Sequence, residues 1–120
     1  MSYSIKDAKI PYYAARYHTT DLVDKIFTAY NDYSMDDSEK KKKIGRYSAG
    51  VAVRNIKKLG PKAIAKATAT AVSKRTFEIV DKIKKAQNDN SLNTDEKRKK
   101  TVRYCLAIAI RRGAINIKND

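Results

Sequence analysis

Between Lys40 and Phe77 the chain carries twelve lysines and arginines and no aspartate or glutamate. Cations of one sign at that density suit one chemistry above others: neutralising a polyanion and displacing its counterions. Apolar residues recur regularly through the same window, so it reads as folded helix with a strong positive field and not as a disordered tail. Residues 1–39 hold four basic and seven acidic side chains, and residues 78–120 hold eleven and six, so the net charge of +14 comes chiefly from the middle third. The other residue types that do chemistry are scarce. His18 and Cys105 are the only histidine and cysteine, which excludes an intramolecular disulfide and any multi-cysteine metal site. Gly-rich nucleotide loops, paired cysteines and His-x-His spacing are all missing. His18, within Tyr17-His18-Thr19-Thr20, could act as a general base for RNA cleavage beside a lysine and a tyrosine. The plainer reading is a capping or surface residue. Cys105 shares an apolar helix side with Val102, Leu106 and Ala109, which points to core packing. No catalytic residue, metal ligand or cofactor is expected.

The elements that must carry these cations are mostly helical. At 120 residues the chain suits one domain. After a Tyr-rich lead containing Pro11, Thr20 is a plausible N-cap with Asp21 in the first turn. Leu22, Val23, Ile26, Phe27 and Tyr30 follow at helical spacing, and this first helix should stop near Tyr33-Ser34. The acids of Met35-Asp36-Asp37-Ser38 mark the start of a second helix that runs to about Leu59. Gly60 suits a helix stop, and Pro61 suits the first position of a third helix, because its missing N–H would have no partner there. That third helix is expected from Pro61 to about Gln87. Thr94 is expected to cap a fourth helix, with Asp95 and Glu96 in its first turn, ending near Arg112-Gly113. No hairpin is expected. The organisation is thus all-α: an extended N-terminal arm over 1–19, a four-helix bundle over 20–113, and a short tail over 114–120.

On the second helix, Lys43, Arg46, Gly50, Arg54 and Lys57 fall within an arc of about 80° at 100° per residue. Ile44, Tyr47, Val51, Ala52 and Leu59 lie beside and opposite it, so one face packs and the other is a basic stripe. Gly50, lacking a side chain, would let the helix backbone approach a phosphate closely. A solvated face would normally mix signs, and this one does not. On the third helix Lys62, Lys66, Lys74 and Lys85 share a side with Ala63, Ala67, Thr70 and Ser73. Such a face can lie against a sugar–phosphate strand or serve for tight helix packing. Leu59-Gly60-Pro61-Lys62-Ala63-Ile64 has part of a helix-hairpin-helix loop, but Lys58 stands where that pattern wants glycine, which favours a plain turn. The eight tyrosines could stack on bases, yet Tyr30 and Tyr47 fall on core faces. Basic amphipathic helices also bind membranes, but these have weakly hydrophobic Ala/Thr faces and no tryptophan. No apolar run is long enough to span a bilayer, so membrane insertion is not expected.

The stretch from Tyr47 through Gly50, Arg54, Leu59, Gly60 and Pro61 to Ile64, running into an Ala/Thr-rich helix, resembles the helical region of coat proteins from archaeal rod-shaped and filamentous viruses. The likeness covers about residues 44–86. It implies a small α-helical subunit, pairing with itself or a paralogous subunit, that wraps linear double-stranded DNA in the helical filament of a virion. The N-terminal segment would then embrace a neighbouring subunit.

Sequence and resemblance together lead to a non-enzymatic packaging protein that binds double-stranded DNA without sequence preference, with RNA left open. The residues expected at the nucleic acid are Lys42, Lys43, Arg46, Gly50, Arg54, Lys57, Lys58, Lys62, Lys66, Lys74 and Arg75. No short recognition helix with base-reading side chains stands out. The alternatives are an accessory or nucleoid-type DNA-binding protein of a phage or cell, cytoplasmic and nucleic-acid associated, and a small basic ribonuclease toxin domain built on His18.

Overall fold

Regularly spaced apolar residues become helices through most of the described chain, residues 2–118 of this computed structural model. In order, the elements are β1 (Ser2–Ile5), α1 (Lys9–Arg16), α2 (Thr19–Tyr30), α3 (Asp37–Asn55), a 3-10 turn (Ile56–Lys58), α4 (Pro61–Ser73), α5 (Thr76–Gln87), α6 (Thr94–Arg111) and β2 (Ile115–Lys118). The fold is mainly helical, as expected, but the described residues form six helices and a two-stranded sheet instead of four helices.

The extra elements come from three departures. The lead is folded and not an extended arm: Asp7 accepts a hydrogen bond from the Lys9 amide at 2.9 Å and starts α1. Pro11 then falls in the first turn, where no intrahelical donor is lost. The segment read as a tail contains β2, which pairs antiparallel with β1 in the register Ser2↔Lys118 to Ile5↔Ile115. The long third helix is broken between Ser73 and Thr76. Lys74 and Arg75 are extended, with ψ of 149° and 160°, and the Arg75 amide donates to the Glu78 carboxylate at 3.0 Å to begin α5. Packing requires the break. In one continuous helix the buried face of Ile64, Ala67 and Ala71 would point roughly 120° away from that of Ile79, Val80, Ile83 and Ala86. Two extended residues reset the phase.

Helix α6 sits at the centre. Cys105, Leu106, Ala107, Ile108 and Ala109 are fully buried on it, and it packs against α3, α4, α5 and β2. Alpha-3 is nearly as enclosed, with α6 on one side and α1 and α2 on another. Its buried Gly45, Ser48, Ala49 and Ala52 are small enough to let these neighbours come close. The carboxylates foreseen at helix starts are in place. Asp36 accepts from the Glu39 amide at 2.8 Å, and Asn93 and Glu96 close a reciprocal capping box on α6.

Candidate nucleic-acid interface

The fold divides the expected basic stripe into a middle engaged with α1 and two ends free in solvent. Gly50 is enclosed, which corrects the expectation of an open backbone there. A Cβ at that position would lie 3.3 Å from the Leu22 Cδ1 of α2 and 3.3 Å from the Tyr13 Cβ of α1. The glycine admits two helices, and no strand of nucleic acid can reach it. The arginines on either side are similarly engaged. The Arg46 Nε donates to the Asp7 carboxylate at 2.6 Å. The Lys9 amide, together with Arg46, holds that carboxyl below its ordinary range. Arg54 Nη1 donates to the Ala14 carbonyl at 2.9 Å, in the last turn of α1. Its Nη2 lies 3.2 Å from His18 Nδ1. A guanidinium has no acceptor, so the imidazole accepts through Nδ1. Arg46 and Arg54 thus fasten the two ends of α1 to α3.

His18 is the N-cap of α2, and its own amide donates to Asp21 at 3.2 Å. The Cys105 thiol is wholly buried, and that burial raises its pKa to about 12, only partly offset by the Ser48 hydroxyl. Several tyrosines are half-buried against the core: the Tyr13 and Tyr47 rings meet at 5.5 Å, tilted by 45°, and Tyr30 donates to Asp81 at 3.0 Å while packing on Phe77. Tyr33 is fully exposed.

The exposed cations cluster beyond the end of α3. Lys57, Lys58, Lys62 and Lys66 all face solvent, and none has a carboxylate partner among the described residues. Alpha-4 buries Ile64, Ala67 and Ala71. Its outer surface is Lys62, Ala65, Lys66, Ala69 and Ser73, with Val72 at 80% exposure. Packing therefore occupies one side of α4, with Ala67 on it, and the lysines lie on the other. Alpha-4 also differs from the other helices at its start. Asp7, Asp21, Asp36, Glu78 and Glu96 accept backbone amides at the starts of α1, α2, α3, α5 and α6. Gly60 and Pro61 give α4 neither a side-chain cap nor an acid in its first turn. Its positive dipole end thus meets lysines and no anion. Arg75 is exposed and Lys74 half-buried in the break. The break also puts Lys85 on α5, off the face of Lys62 and Lys66.

At the other end of the stripe, Lys42 and Lys43 are exposed. Lys42 and Arg46 border a cleft of about 290 Å³ that also takes in Lys6 and Arg112. Sequence reasoning missed these last two, because Arg112-Gly113 reads simply as a helix stop.

No family model matches the chain, and no curated protein or solved structure matches it either. No helix among the described residues is long and apolar enough to cross a membrane.

Proposed function

We propose that this protein is a non-enzymatic packaging protein that binds nucleic-acid backbones without sequence preference, with double-stranded DNA as its partner. The supporting observation is the surface of Lys57, Lys58, Lys62 and Lys66 around the uncapped start of α4, in a 38-residue window without acids. Four mobile ammonium groups and a positive helix end suit a regular array of phosphates and read no base edge. Arg46, Gly50 and Arg54 contribute to the scaffold of this reading and not to the contact, while Lys42, Lys43 and Arg75 are accessible to a long duplex. The resemblance of residues 44–86 extends the proposal to a helical filament coat in a virion, built from copies of this chain or a paralogous subunit.

The deciding experiment mixes the protein with linear double-stranded DNA, titrates salt, and views the product by negative-stain electron microscopy. The logarithm of the binding constant should fall linearly with the logarithm of salt, with equal slopes for unrelated sequences. Uniform filaments whose length follows the DNA establish the coat. Salt-sensitive binding without filaments gives an accessory DNA-binding protein. Absence of binding at low salt overturns the proposal and leaves RNA, or a ribonuclease that His18→Ala would inactivate.

A further inference from the structure

Two neighbouring arginines at the end of α6 have different fates. Arg111 Nη1 donates to the Ala71 carbonyl at 3.0 Å and closes the last turn of α4. Arg112 has no polar partner for its guanidinium among the described residues, and it is not needed to cap α6. The carbonyls of Ile108, Ile110 and Ala109 already accept from the amides of Arg112, Gly113 and Ala114 at 2.9–3.0 Å. Gly113, at φ 71°, makes the left-handed turn this closure requires. The stem of Arg112 is held against α3 because position 45 is glycine; a Cβ there would lie 3.1 Å from the Arg112 Cβ. Both glycines therefore serve to set Arg112 at the mouth of the 290 Å³ cleft.

Three more cations line it: Lys6 from the β1–α1 loop, and Lys42 and Arg46 one turn apart on α3. The one lining carboxylate, Asp7, is already joined to Arg46 through Nε, so the terminal nitrogens of Arg46 remain open toward an anion. The hydroxyl-bearing Ser38 completes the polar rim, and its acidic sequence neighbours Asp37 and Glu39 do not line the cleft. We infer that this cleft binds one small phosphate compound carrying one or two phosphoryl groups. Its net charge of about +3 matches a phosphate ester or pyrophosphate, and the two arginines supply planar forks that bind phosphate oxygens in pairs. The volume falls at the small end for ligand clefts, suiting a phosphate with a few attached atoms. The cleft lies roughly 20 Å along α3 from Lys57. That exceeds the ~8 Å screening length at physiological salt, so the two basic regions act separately. The inference goes beyond the proposed function and holds whether or not the lysine surface binds duplex.

The test is calorimetric titration of the full chain with pyrophosphate at roughly physiological salt. One saturable site per chain is expected. Arg112→Ala and Lys42→Ala, both trimming exposed stems, should each weaken it by about tenfold or more. Lys62→Ala with Lys66→Ala should leave it unchanged. Heat without saturation, or equal losses from both sets of variants, would show diffuse attraction and overturn the site. A second arm names the source of the phosphoryl group. Should pyrophosphate displace a labelled duplex and Arg112→Ala weaken that duplex, the natural ligand is a backbone phosphate. Should duplex binding ignore both while pyrophosphate still binds, the ligand is a free phosphate compound. That second pattern keeps the cleft, and the failure of the lysine surface would be read independently from the salt titration.

Discussion

Residues 46–54 of α3 and residues 57–66 around the start of α4 come from one acid-free window, yet the fold uses them in opposite ways. In the first, Arg46 and Arg54 point at a carboxylate and a helix-end carbonyl, with Gly50 as the seat for α1 and α2. In the second, four lysines extend into solvent around a helix start without an acid. The division follows side-chain chemistry. A guanidinium offers several donors in a fixed plane and suits a point-to-point staple, whereas an ammonium on a flexible stem stays hydrated and suits a moving or repeating anion. Positive charge in a sequence is therefore two resources, and the partners each cation finds in the fold tell them apart: Arg54 is exposed, as the lysines are, but is bonded to α1.

The strongest way to break this contrast is Gly50→Glu. It places a charge among Leu22 and Tyr13 and should abolish cooperative unfolding, since an unpaired buried carboxylate costs several kcal/mol. Gly50→Ala should change stability by only about 1 kcal/mol or less by thermal or urea unfolding, because the gain in helix propensity offsets the 3.3 Å contacts. A Gly50→Glu chain that unfolds like the parent but fails to bind DNA would return Gly50 to the contact surface. Next, changing Lys57, Lys58, Lys62 and Lys66 together to alanine should lower the salt slope for duplex DNA by about 3 to 4. Stability should stay within about 0.5 kcal/mol, as expected of exposed positions. Arg54→Ala should do the reverse: a loss of about 1–2 kcal/mol in stability with the salt slope unchanged. A drop of the slope by about 1 would show that Arg54 reaches phosphate after all.

The smallest effect concerns Asp7. Its folded pKa lies below the unfolded value, so it stabilises the fold above the unfolded carboxylate range, and that contribution fades as pH falls through the folded pKa. Asp7→Asn should therefore be less stable than the parent near neutrality by under about 1 kcal/mol, given its partial exposure. The two chains should converge in strong acid. A gap that persists there would assign the loss to packing.

Much of the helical plan is legible in the sequence, because caps and apolar spacing are local. Asp36 and Gly60-Pro61 mark real starts and Gly113 a real stop, while the cap of α6 is Asn93, one residue before the Thr94 expected there. The break at Lys74-Arg75 has no glycine or proline to announce it; only the angular mismatch between the apolar sets of α4 and α5 shows it. Strand β2 is hidden because its partner lies at the other end of the chain. The candidate surface was half legible. The exposed lysines follow from charge and spacing, but the burial of Gly50 depends on α1, which Pro11 disguised as an arm. The cleft needed Lys6, Lys42 and Arg112 to meet from three distant parts of the sequence.

The β1–β2 pair has a consequence for the order of folding. Ile5 and Ile115 face each other across almost the whole chain, so their pairing closes the largest loop available, at an entropic cost of roughly 4 kcal/mol. The helices, built from local contacts, should form before it, and the sheet then acts as a late latch. A short peptide bridge between residues 2 and 118, with new ends opened in the exposed turn at Asn90-Ser91, would make that latch local. Such a circular permutant should refold faster while keeping the same helices.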